Sequence, residues 1–114
     1  MPMAPVKNKT AAETLRFAEL VASKQGWVLN PDGELIEILA DGLTKNYNRY
    51  AYYSCPCRDA EGDRARDADI ICPCAYCRPD QAVYGYCYCG LYLTREYAMS
   101  GKKPHSIPER RPAR

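Results

Sequence analysis

Long apolar runs are missing from this sequence, which leaves no candidate for a membrane-spanning helix. A charge excess of either sign is missing too. Sixteen basic against 14 acidic side chains leave a formal net charge of +2, too little to argue for a nucleic acid or a membrane surface as partner. The N-terminal stretch MPMAPVKNKTAAE has neither an apolar core nor a small-residue cleavage site. It also lacks the Arg- and Ser-rich, acid-poor character of a transit peptide. The expected location is therefore cytoplasmic. Histidine is nearly absent, and the single one, His105, lies near the C-terminus. At 114 residues the chain has the length of one domain, whose modest core gains from cross-links or a metal centre.

Cysteine, by contrast, is abundant. All seven cysteines fall between Cys55 and Cys89. An odd number leaves one thiol over in a fully paired disulfide scaffold. Without a secretory signal, clustered cysteines read as metal-binding or redox-active.

Around that cluster the chain is organised simply. Residues 1–9 are polar and read as a disordered tail, and residues 10–114 as the one domain. Thr10 and Glu13 form a capping box ahead of Leu15, Phe17, Leu20 and Val21, which predicts a helix over 11–25 stopped by Gly26. Trp27, Val28 and Leu29 make a short apolar run, and Asn30-Pro31-Asp32-Gly33 is a turn signal. Leu35, Ile38, Leu39, Gly42 and Leu43 carry the clearest helical period, on a helix predicted over 33–46. Beyond it the period breaks down. All ten tyrosines lie between Tyr47 and Tyr97 and read as a packing layer. The polar stretch 59–69 is read as holding one helix, and residues 101–114, rich in Pro, Lys and Arg, as running over the surface. The fold class is mainly α: two helices form a platform for irregular cysteine-bearing loops and short helices.

The cysteines are arranged as Cys55-Pro56-Cys57, Cys72-Pro73-Cys74, Cys77 and Cys87-Tyr88-Cys89. Structural zinc sites mostly use C-x-x-C, in which a tight turn brings both sulfurs to one ion. A C-x-C pair in extended backbone sends its side chains apart. Pro56 and Pro73 push the preceding cysteine toward extended backbone. Such a pair can place one sulfur on a cluster and aim the other elsewhere, or supply both to different irons of one cluster. A non-enzymatic zinc-binding or electron-transfer module is the alternative from another class.

These residues resemble the catalytic subunit of ferredoxin–thioredoxin reductase, in its stand-alone bacterial and archaeal form. The family pattern is CPC, CPC, then CHC, and Cys55-Pro56-Cys57-Arg58, Ile71-Cys72-Pro73-Cys74 and Cys87-Tyr88-Cys89-Gly90 are similar to it. The likeness extends to Gly26-Trp27-Val28-Leu29-Asn30-Pro31, to Asp41-Gly42-Leu43 and to Ile107-Pro108-Glu109-Arg110-Arg111-Pro112. The resemblance implies a [4Fe–4S] cluster held by Cys55, Cys72, Cys74 and Cys87, with Cys57 and Cys89 as a redox-active disulfide beside it. Cys57 would attack the partner and Cys89 would face the cluster. It implies ferredoxin, or another one-electron donor such as rubredoxin, as electron source, thioredoxin or a thioredoxin-like protein as substrate, and the plant system's variable subunit as a possible partner. Arg58 would favour the Cys57 thiolate. Two departures stand out: Tyr88 replaces the family's proton-handling histidine, and Cys77 lies outside the six-cysteine pattern and reads as a buried bystander thiol. The cationic tail, with Lys102, Lys103, Arg110, Arg111 and Arg114, reads either as a solvated end or as a dock for an acidic ferredoxin.

Overall fold

A computed structural model of the chain describes residues 8–113. Most of the expected tail over 1–9, and Arg114, lie outside them. Helix α1 spans Ala11–Gln25, and its capping box forms as read. The Glu13 amide donates to the Thr10 hydroxyl at 3.2 Å, and the Thr10 amide donates to the Glu13 carboxylate at 3.2 Å. Gly26 ends the helix in the left-handed region at φ 75°. The buried face is made of small side chains, Thr14, Ala18 and Ala22, which lets the next helix come close. Leu20, expected on that face, is 54% exposed.

Helix α2 spans Gly33–Tyr50, with Asp32 from the predicted turn as its N-cap. It runs past the predicted end and stops at Ala51, at φ 67°. The extra turn is held by aromatic packing and not by the apolar period. Tyr47 lies 4.8 Å from Tyr53 and Tyr50 lies 5.8 Å from Tyr52, ring to ring. Leu39 and Leu43 are buried as read, but Ile38 is 68% exposed and Ile36 packs on the core instead. A chain of hydroxyls, Thr44 to Thr14 at 2.7 Å and Thr14 to Tyr53 at 3.1 Å, pins both helices to the first cysteine segment.

The apolar run after α1 becomes strand β1, Val28–Leu29, antiparallel to β2, Tyr92–Leu93, with Val28 opposite Leu93 and Leu29 opposite Tyr92. Asn30 extends the pairing, its amide donating to the Leu91 carbonyl at 2.9 Å and its side chain to the Gly90 carbonyl at 2.9 Å. The third cysteine segment is thereby fastened to the end of α1.

No helix forms over most of 59–69. That stretch is a loop wrapped on the fully buried carboxylate of Asp67, which accepts from the amides of Glu61 and Gly62 at 3.0 Å each and from the Tyr52 hydroxyl at 2.5 Å. Gly62 sits at φ 84°, outside the helical region. Only a single 3₁₀ turn, Ala68–Ile70, closes the loop. Two short helices follow, α3 over Cys77–Tyr84 and α4 over Arg95–Ser100. The architecture is mainly helical, with six of the seven cysteines in loops and Cys77 opening α3. Among the described residues no helix is long and apolar enough to cross a membrane.

The C-terminal segment is a strap and not a solvated end. Ile107 is buried, Arg110 pairs with the buried Asp80 at 2.5 Å, and Arg111 pairs with Asp69 at 2.9 Å. These pairs correct the reading of Arg110 and Arg111 as free tail charges. Lys102 and Lys103 remain exposed.

Candidate functional site

The first two cysteine segments meet back to back. Ser54 and Ile71 form an antiparallel bridge, flanked by Cys55 N–H to the Ile70 carbonyl at 2.8 Å and Cys72 N–H to the Tyr53 carbonyl at 2.7 Å. Cys55 and Cys72 therefore leave the bridge side by side, and the peptide bond between Cys72 and Pro73 is cis. The third segment is a hairpin tip, with Cys87 N–H donating to the Tyr92 carbonyl at 3.1 Å.

The expectation of extended C-x-C pairs is corrected for two of them. Arg58 N–H donates to the Cys55 carbonyl at 3.2 Å, and Gly90 N–H to the Cys87 carbonyl at 2.8 Å. Each pair thus occupies the first and third positions of a turn, with Pro56 or Tyr88 between them. Proline suits that second position because its φ is already set. Gly90 closes the last turn at φ 78°, a conformation that favours glycine.

These loops surround one narrow, partly open cavity, lined by Cys55, Cys72, Cys74, Cys77, Cys87 and Cys89 with Arg58, Tyr88 and Tyr92. The four cysteines expected as cluster ligands thus face a common space. Cys57 does not line it. Its side chain is exposed, in a separate surface groove with Arg58, Asp59, Tyr88, Glu109 and Arg111. Among the described residues no three His, Cys, Asp or Glu side chains gather closely enough for a single metal ion. The sulfurs ring a cavity instead.

Cys89 is the hinge of the arrangement. The neighbouring sulfurs of Cys55, Cys57 and Cys87, together with burial, push its thiol well above the ordinary range. The Cys87 sulfur is 3.7 Å away. The effect is reversed on its neighbours: Cys89 lowers the Cys57 thiol, and lowers Cys55 with help from Arg58. Cys87 is pulled well below the ordinary range, first by Cys77 and then by Cys89. Burial dominates elsewhere, pushing the Cys72 and Cys74 thiols up.

Arg58 is no solvated charge. Its guanidinium reaches the sulfurs of Cys74 at 3.3 Å and Cys55 at 3.7 Å, so its sulfur contacts are with those two cysteines and not with Cys57. Its other edge is held by Glu109, at 2.6 and 2.7 Å. Tyr88, in the family's histidine position, lays its ring 4.4 Å from that guanidinium.

Three participants escape a reading of the sequence alone. Cys77 is buried, as read, but in the cavity wall with Cys87, where it accepts from the Gln81 side-chain amide at 3.2 Å. The i, i+4 spacing of Cys77 and Gln81 at the start of α3 was the available signal. Tyr92 points its hydroxyl at the Cys72 sulfur, 3.7 Å away. Glu109 lies 51 residues from Arg58, and no local pattern announces their pairing.

Two comparisons bear on this site. The family model described as ferredoxin thioredoxin reductase catalytic beta chain matches residues 4–110. The ferredoxin-thioredoxin reductase catalytic chain of Porphyra purpurea is 28% identical over 81 residues, 69% of this chain. The match spans 65% of that relative's length, under two thirds of it.

Proposed function

Since the chain belongs to the ferredoxin thioredoxin reductase catalytic beta chain family, we propose that it reduces a disulfide of thioredoxin or a thioredoxin-like protein through Cys57 and Cys89, with electrons from ferredoxin or a similar one-electron carrier. A [4Fe–4S] cluster held by Cys55, Cys72, Cys74 and Cys87 completes the proposal. The observation that carries it is an exposed thiol, Cys57, two residues from Cys55, together with a less exposed one, Cys89, that lines the sulfur pocket with its sulfur 3.7 Å from that of Cys87.

The donor set fits such a group. Its cavity is lined by sulfur, proline and aromatic carbon with one buried cation and no carboxylate, and iron–sulfur clusters are held by thiolates. Four thiolates on a [4Fe–4S] core carry about two net negative charges, which Arg58 in the wall offsets in part. When bound, the cluster supplies electrons one at a time to a disulfide whose cleavage takes two.

The chain's own residues do the exchange. The Cys57 thiolate attacks one sulfur of the partner's disulfide, and the other sulfur leaves as thiolate. Cys89 then attacks the Cys57 sulfur, the mixed disulfide breaks, and the partner departs with both thiols reduced. Two electrons and two protons return the Cys57–Cys89 bond to the dithiol. The thiolate is the nucleophile, and the neighbouring Cys89 favours it on Cys57 by lowering that thiol below its ordinary range.

Purification without oxygen tests the cluster. A brown protein with about four irons and four sulfides per chain is expected. Stoichiometric zinc without visible absorption would overturn the proposal in favour of a zinc-binding module.

A further inference from the structure

Among the side chains lining the sulfur cavity, Arg58 carries the one formal positive charge. Its side chain is 2% exposed, so water does little to screen it. Every part of the guanidinium is engaged. Two nitrogens bind the carboxylate of Glu109 at 2.6 and 2.7 Å, and a third faces the sulfurs of Cys74 and Cys55 at 3.3 and 3.7 Å. The rings of Tyr88 and Tyr76 lie 4.4 and 5.1 Å from its central carbon. Burial works against the charge, but Glu109 and the sulfurs more than compensate and hold the group protonated. Glu109 is kept ionised in turn by Arg58.

A fixed charge beside two ligand sulfurs acts on the cluster's charge. Reduction adds one electron to the site, so the reduced state is more negative by one unit whether the cluster or the adjoining disulfide takes it up. A buried cation stabilises that state, and N–H bonds to ligand sulfurs raise a cluster's potential in the same way. A carboxylate behind the cation opposes it. We propose that the Arg58–Glu109 pair sets the reduction potential of the cluster, Arg58 raising it and Glu109 tempering it. Arg58 is then a positioning and tuning residue for Cys55 and Cys74, and the C-terminal strap has a redox role through Glu109. This inference rests on the cluster assignment under Proposed function.

The test is an anaerobic redox titration, followed by absorption and electron paramagnetic resonance, on the iron-loaded full chain and on Arg58→Lys, Arg58→Gln and Glu109→Gln. Arg58→Gln should lower the one-electron reduction constant about tenfold, ~59 mV for one electron, and Glu109→Gln should raise it roughly threefold. Arg58→Lys keeps the charge but loses the planar fork, and should fall between wild type and Arg58→Gln. Opposite signs are the mark of charge tuning, since loosened packing has no reason to move the two variants apart. If Arg58→Gln cannot hold iron, Glu109→Gln and Arg58→Lys still decide the sign. Potentials that stay together, or that all move one way, overturn the inference. So does a shift in the pH profile of Cys57 alkylation in Arg58→Gln with the potential unmoved, which would return Arg58 to the acidity of Cys57. A wild-type chain without iron would end the cluster assignment itself, whereas an iron-loaded wild type with unmoved variants would end this inference alone.

Discussion

At the scale of single residues, the site sorts seven equal thiols by what surrounds them. Cys57 is exposed, Cys89 sits beneath it among three sulfurs, and Cys77 is buried behind Cys87. Disulfide exchange needs an attacker and a resolver, and this depth difference favours Cys57 as attacker. Cys57→Ser should keep iron and form no mixed disulfide with a thioredoxin that lacks its own resolving cysteine. Cys89→Ser should keep iron and trap that same thioredoxin, supplied as a mixed disulfide with a small thiol that leaves, as a stable adduct on a non-reducing gel. Trapping by Cys57→Ser in place of Cys89→Ser would reverse the two roles, and trapping by neither would end the exchange mechanism. Cys77→Ser should retain full iron, because the hydroxyl can still bond to Gln81. If that variant loses its iron while Cys74→Ser keeps it, Cys77 and not Cys74 is a ligand.

At the scale of elements, α2 presses directly on the first cysteine turn. A Cβ added at Gly42 would stand 2.8 Å from the Cβ of Pro56, closer than carbon atoms pack. This contact gives a physical reason for glycine in the Asp41-Gly42-Leu43 stretch. Gly42→Ala should destabilise the protein by about 1–3 kcal/mol, as overpacking does, and lower iron content by displacing the turn that carries Cys55 and Cys57. Gly33, also in α2, has nothing within 4 Å of its added Cβ. Gly33→Ala should leave iron unchanged and be neutral or stabilising by up to about 1 kcal/mol. Thermal melts with iron assays check both, and equal losses in the two variants would show that the Pro56 contact is unimportant.

At the scale of the whole molecule, the strap over 107–111 joins parts of the chain far apart in sequence. Arg111 reaches Asp69 at 2.9 Å and the carbonyl of Arg66 at 3.1 Å. Burial alone would raise the carboxyl of Asp69, but the Tyr76 hydroxyl and Arg111 more than reverse this and hold it below the ordinary range. Asp67 is likewise held low, by Tyr52 and two backbone amides against its burial. The sign follows from these depressed values. Such carboxylates contribute stability above their unfolded pKa, about 4, and lose it as the pH falls through the lower folded value. Arg111→Met should therefore cost about 1–3 kcal/mol near neutral pH. Its melting temperature should converge with that of the wild type below about pH 4. A gap that stays constant into acid would assign the loss to packing and not to charge.

Local chemistry determined what a sequence can determine alone. The Thr10–Glu13 box, the Gly26 stop and the Asp32 cap all rest on residues within a few positions of each other, and the helices begin where those signals stand. The mainly helical class and the family followed from such local motifs. The end of α2 was not legible, because Tyr47 and Tyr50 are held by tyrosines from the following loop. The 59–69 stretch defeated the polar pattern because a single buried carboxylate, Asp67, organises it from within. Tertiary structure alone decided which sulfurs face the cavity, that Cys77 joins them, and that Glu109 grips Arg58 across 51 residues. Those choices depend on burial and on long-range charge pairing, and neither leaves a period or a spacing in the chain.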